Sequence, residues 1–96
     1  MTVYWHRELP PLRAVPLGEH TIEADSVHVA GGIANPDVWQ RCATDLARGL
    51  EVRLSQEGGR LGGRCAHVLD EHIDVKHDEA RDEAWLHGRY TYMLYR

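Results

Sequence analysis

Residues 35–61, NPDVWQRCATDLARGLEVRLSQEGGRL, decide the fold of this 96-residue chain. Asn35 is suited to cap a helix by accepting a hydrogen bond from a first-turn N–H. Pro36 suits the first helical position, where no donor is needed. Trp39, Cys42, Ala43, Leu46, Leu50, Leu54 and Leu61 then recur at three- and four-residue spacing, with one heptad between the last two, so they share a face. Arg41, Asp45, Arg48 and Glu51 fall largely on the other side, as a solvated face requires. Gly58-Gly59 weakens the last turns by about 1 kcal/mol per glycine relative to alanine. The stripe nevertheless continues to Leu61, and Gly62-Gly63 is the better stop.

The flanking segments read as strands. Thr21 to Val29 is rich in β-branched residues, and its apolar set changes parity between Ile22/Ala24 and Val27/Val29. That shift predicts a bulge, or a strand buried at one end only. Cys65–Val75 and Ala84–Tyr95 are two further runs joined by a charged connection. Alternation puts Cys65, His67, Leu69, Glu71, Ile73 and Val75 on one face with Leu86, Tyr90, Tyr92 and Leu94. The helix is expected over that face. Ala66, Val68, Asp70, His72 and Asp74 share the other with Trp85, His87, Arg89, Thr91 and Met93. Residues 1–20 carry Pro10, Pro11, Pro16 and Gly18, which predicts an extended, non-sheet arm. Its Tyr4, Trp5, Leu9, Leu12 and Leu17 need cover from the chain's own core or a neighbouring subunit. The expectation is one α+β domain over residues 21–96, preceded by the arm of residues 1–20. A single long helix packs on a small antiparallel sheet in the order β-α-β-β.

Composition narrows the function. Eleven Lys and Arg against fifteen Asp and Glu give a formal charge of −4 without a basic run, which disfavours nucleic acid. The first residues, Met1 to Glu8, lack the basic start and apolar run of a signal peptide. No apolar stretch approaches the roughly 18 residues of a membrane span. A cytoplasmic protein is expected. The cysteines agree: Cys42 and Cys65 are not spaced as Cys-x-x-Cys, and about 28 Å of helix lies between them. A disulfide needs Cα atoms within ~7 Å, so both are read as small buried thiols.

Asp70 to Glu79 holds two histidines and five carboxylates in ten residues, with His87 shortly beyond. A hairpin centred between Glu79 and Ala80 sets His72 opposite His87 and Asp70 opposite Arg89. Facing Cβ atoms lie ~4.5–5.5 Å apart. Two imidazoles at that distance can share a metal, with Asp70 or Asp74 adding an oxygen. Such donors suit Zn²⁺, Ni²⁺ or Cu²⁺. A register shift of two keeps the same residues on the same face. The plainer reading is a solvated charged turn with an Asp70–Arg89 surface pair worth ~0–1 kcal/mol. A catalytic reading takes His72 with Asp70 or Asp74 as general base. It lacks a nucleophile and a phosphate-binding glycine loop, because the glycine pairs sit beside helix ends. His6, His20 and His28 are dispersed. Trp85, Tyr90, Tyr92, Tyr95, Tyr4 and Trp5 cluster near the two ends of the chain, as core and subunit contacts do.

From the helix onward the pattern resembles the YbjQ-like proteins, a family labelled heavy-metal-binding. In that family a long helix closes with a Leu-Gly-Ala-type turn. A strand ending in an Asp follows, then a polar loop and a last strand. The corresponding pieces here are Arg60-Leu61-Gly62-Gly63-Arg64-Cys65-Ala66-His67-Val68, then Asp70 to Asp74, then Ala84 to Tyr95. Gly63 stands where the family has its small residue. The match covers residues 35–96, and the arm of residues 1–20 has no counterpart. The resemblance implies an α+β fold and a ring-like homo-oligomer, commonly a pentamer, and brings no catalytic residues. The expected function is a non-catalytic homo-oligomeric binding protein, with a divalent metal such as Zn²⁺ at His72, His87, Asp70 and Asp74. The alternative is a small acid–base enzyme using His72 with Asp70 or Asp74, and His87, at a subunit interface.

Overall fold

A computed structural model describes residues 1–11 and 13–96 of the chain. In chain order the elements are β1 (Thr2–Trp5), β2 (Pro16–Asp25), β3 (Val29–Ala30), α1 (Pro36–Arg60), β4 (Cys65–Asp78) and β5 (Glu83–Tyr95). The helix begins and ends as its sequence dictates. Asn35 Oδ1 accepts the Asp37 N–H at 2.8 Å, and Pro36 opens the first turn. At the other end Gly62 takes a left-handed φ of 85°. The Gly62 N–H donates to Gly59 O and the Gly63 N–H to Gly58 O, which occupies carbonyls the last turn would leave open.

The buried ridge is Cys42, Leu46, Leu50, Leu54 and Gly58. Steps of four residues advance about 40° past a full turn, so this ridge drifts around the helix. Trp39 lies on its flank in the first turn and is 40% exposed, and Leu61 lies at the cap and is 44% exposed. Both were expected within the buried stripe. Gly58 belongs to it because an added Cβ there would crowd the Met1 and Leu94 side chains; one at Gly63 would overlap Leu94.

The fold is α+β, but the sheet is mixed, in the order β1-β4-β5-β2 with β3 beside β5. β1 runs parallel to β4, whereas β2, β3 and β4 all run antiparallel to β5. The element order is therefore β-β-β-α-β-β, not β-α-β-β. The segment expected to be a non-sheet arm supplies β1 and the first half of β2. Pro16 is tolerated because it opens an edge strand, and the register slips between Pro16 and Gly18. Trp5 is half-buried and meets Tyr90 edge-on at 6.2 Å, while Leu9 stays 80% exposed. Leu12, expected to need cover, lies outside the described residues.

Two irregularities set the faces. Asp25 pairs with His87 and Val29 with Ala84, so Ser26, Val27 and His28 face only Leu86 and Trp85. Of the two readings of the parity change, a bulge and a strand buried at one end only, the pairing shows the first. Ser26 closes it: its N–H donates to Leu86 O at 2.8 Å, and its Oγ accepts the Leu86 N–H at 2.9 Å. The second bulge is in β4. Val68 pairs with Tyr92 but Asp70 with Thr91, leaving Leu69 over and 42% exposed. It flips the parity of the strand, so Ala66 and Val68 share the helix-covered face with Glu71, Ile73 and Val75. Cys65 and His67 lie on the opposite face, contrary to a strand of unbroken alternation.

The helix-covered face buries Ile22, Ala24, Ala66, Val68, Leu86, Tyr90, Tyr92 and Leu94 against the leucines of α1. The Tyr90 ring folds over Gly88, where a Cβ would collide with it. Burial, and secondarily the Glu71 charge, push the Tyr90 phenol up to about 12. Both cysteines are free and buried. No described helix is long and apolar enough to cross a membrane.

Candidate functional site

On the face away from the helix, alternation in β5 presents Trp85, His87, Arg89 and Thr91. The flanking strands bring polar rows up to them. Asp74 and Asp25 stand opposite His87 from either side, His72 and Glu23 opposite Arg89, and Asp70 and Thr21 opposite Thr91. The register is two residues from a hairpin centred between Glu79 and Ala80. The turn chemistry explains it. The Asp78 carboxylate accepts the N–H groups of Ala80 and Arg81, and Asp82 takes a positive φ of 47°. The reversal thus occupies residues 79–82.

His87 is the focus. Its Nδ1 lies 2.6 Å from Asp25 Oδ1 and its Nε2 3.4 Å from Glu23 Oε1, with about a quarter of the side chain exposed (27%). The hydrogen bond to Asp25 holds the imidazole proton above its ordinary range; desolvation opposes this and Glu23 reinforces it. His72 Nε2 lies 3.2 Å from Asp74 Oδ1 on a well-exposed stretch of β4. His72 and His87 are thus on one face but in adjacent rows, and Asp70 faces Thr91, not Arg89. Among the described residues no three His, Cys, Asp or Glu side chains converge on one metal-sized point.

Imidazole–carboxylate pairing recurs elsewhere. His6 meets Glu71 at 3.1 Å and His77 meets Asp82 at 3.3 Å. His28 meets Glu83 at 3.2 Å and stacks on Trp85, with ring centroids 4.0 Å apart. The buried His67 differs: its Nε2 lies 2.6 Å from the carbonyl of His6, where the chain leaves β1. Sequence reasoning missed Glu23 and Asp25. Thr21, Glu23 and Asp25 share one parity in the first predicted strand, which was a usable signal. What it lacked was any indication that this strand borders β5.

Concave space lies elsewhere. A cleft of about 670 Å³ runs between β2 and the C-terminal half of α1, walled by Arg53, Glu57, Arg60 and Tyr92 and reaching the open face at Glu23 and Arg89. A second, of about 560 Å³, lies along Val27, Arg41, Asp45 and Arg48. His72, Asp74 and His87 line neither. No protein-family model, curated protein or solved structure matches this chain.

Proposed function

We propose that this chain is a non-catalytic, homo-oligomeric binding protein whose open sheet face takes a divalent cation. The observation that carries the reading is the Asp25–His87–Glu23 row. Asp25 orients the ring through Nδ1, leaving Nε2 directed at Glu23 3.4 Å away. A cation bound at ~2.0–2.2 Å by an imidazole and a carboxylate holds those two atoms about 3.0–3.4 Å apart. A carboxylate behind a ligating histidine is the usual device that fixes ring and tautomer. His72 with Asp74 offers the same donors one strand away. Acid–base catalysis is less well served. It needs a free ring nitrogen in a concave, water-restricted space, and both His87 nitrogens face carboxylates on an open surface.

Calorimetry and thermal melts of tag-free protein with Zn²⁺, Ni²⁺ and Cu²⁺ test this. Metal at one hundred times its dissociation constant is expected to stabilise the fold by ~2.7 kcal/mol. His87→Ala should abolish that gain, and Asp25→Asn should weaken affinity by about 10–100-fold. His20→Ala should leave both unchanged. Affinity should fall between about pH 7 and pH 5 as protons compete for imidazole. No heat with any of the three metals, or equal losses from His20→Ala and His87→Ala, would end the cation reading.

A further inference from the structure

The two edges of the sheet are not equivalent. Along β2 the edge is guarded. Pro16 lacks a donor, the register slips before Gly18, the bulge at Ser26 to His28 breaks the ladder, and the Arg53 guanidinium donates to the outward carbonyl of Glu23. Such devices stop a strand from adding there. Along β4 only the first part is covered. β1 pairs with Cys65 to Val68, and the His6 N–H donates to Val68 O at 2.8 Å. From Leu69 to Asp78 no described strand lies beside it. This stretch carries Leu69 and Val75, 42% and 55% exposed, with the half-buried Ile73 between them.

We propose that this free edge pairs antiparallel with the same edge of a second copy, about a two-fold axis at Ile73. The proposal rests on the reading of the chain as a homo-oligomer and states how it assembles.

Backbone phase gives the first constraint. Leu86 uses both its N–H and its C=O toward Ser26 on the β2 side. Val75, opposite Leu86, therefore turns its own N–H and C=O to the free edge. By alternation Glu71, Ile73 and His77 do the same. Two copies must then pair odd residue with odd residue.

Charge gives the second constraint. Centring on Ile73 sets Asp70 of each copy against Lys76 of the other, and His72 against Asp74, so four complementary contacts form on the open face. Leu69 and Val75 meet His77 and Glu71 on the helix side, and Ile73 meets itself. Centring on His72 sets Asp70 against Asp74, and centring on Asp74 sets Asp70 against Asp78 and Asp74 against itself. Centring on Val75 sets Glu71 against Glu79. It also sets Asp74 against Lys76 and His72 against Asp78, but it leaves Leu69 outside the paired stretch and so loses one of the three apolar residues. A centre nearer Cys65 collides with β1. Exposed ion pairs contribute little attraction, so here they choose the register while backbone hydrogen bonds and the apolar trio supply the affinity. At a net charge of −4, long-range repulsion between copies opposes any association that lacks such complementary contacts.

Sedimentation equilibrium of the full chain tests the pairing with Lys76→Asp, Asp70→Lys and the variant carrying both, each checked for an unchanged circular dichroism spectrum. The parent is expected to be a dimer. Each single substitution sets like charges together twice and should weaken dimerisation by about tenfold or more. The double substitution exchanges the charges and should return the dissociation constant to near the parent's. A parent that is monomeric at all concentrations would overturn both the pairing and the oligomeric reading. An oligomer indifferent to the single substitutions, a double variant as weak as the singles, or a ring of five would overturn this pairing alone.

Discussion

Along β5 the two faces of the sheet use the same strand and the same alternation, yet one is buried and the other presents polar side chains. Even-numbered residues of β5, from Ala84 to Leu94, are buried beneath α1, while Trp85, His87, Arg89 and Thr91 face water between acidic rows. The packing that stabilises the chain is thereby separated from its exposed polar rows. Along β5 a one-residue step crosses from one regime to the other, so its exposed positions can change without disturbing the packing beneath α1.

The sharpest way to break this comparison is to truncate each side. Leu50→Ala and Leu54→Ala remove fully buried side chains and should cost about 2–5 kcal/mol in urea unfolding. Thr21→Ala on the open face should stay within about 0.5 kcal/mol. Similar losses on both sides would mean that the open face is covered in the folded protein.

A smaller effect probes how tightly the helix closes on the covered face. Gly63→Ala places a methyl where Leu94 already sits and should cost about 1–3 kcal/mol. Pairing it with Leu94→Ala should give a double variant less destabilised than the sum of the two changes. Strict additivity would show that the two sites do not touch.

The smallest effect belongs to the open face and depends on pH. His87 has its proton held by Asp25, so its folded-state pKa lies above the unfolded value of ~6.5. A raised pKa contributes stability that is complete below the unfolded value and is lost as pH climbs through the folded one. In metal-free protein, His87→Gln should therefore lower the melting temperature more at about pH 6 than at about pH 9. Equal losses at both would show that the contact is indifferent to the proton.

The helix was legible because its signals are local. Asn35 caps it, Pro36 starts it, a four-residue ridge fills it and Gly62 stops it, all within one segment. The bulge after Asp25 was legible from a parity change that the chain itself displays. The bulge at Leu69 was not, because Cys65 to Leu69 is nearly continuous in apolar character and offers no alternation to phase. β1 was hidden for a different reason. Its partner lies some sixty residues away in β4, and four residues carry too little pattern to announce a parallel pairing. The candidate site divides along the same line. Period-two alternation put Asp70, His72, Asp74 and His87 on one face. The carboxylates that engage His87 come from β2, whose place beside β5 is a property of the whole sheet.

Cys42 has a consequence of another kind. Its thiol is fully enclosed beneath the helix and points toward the Val27 carbonyl at 3.9 Å, while Cys65 sits under the opposite face at the start of β4. The Cys42 sulfur cannot meet a reagent until its cover departs, and Cys65 is largely shielded at 8% exposure, so the chain carries two internal clocks. The rate at which Cys42 is alkylated times the lifting of the helix, and the rate at Cys65 times the loosening of the sheet where β1 docks. Matching rates describe a molecule that opens as one cooperative unit, and diverging rates one whose edge breathes before its core.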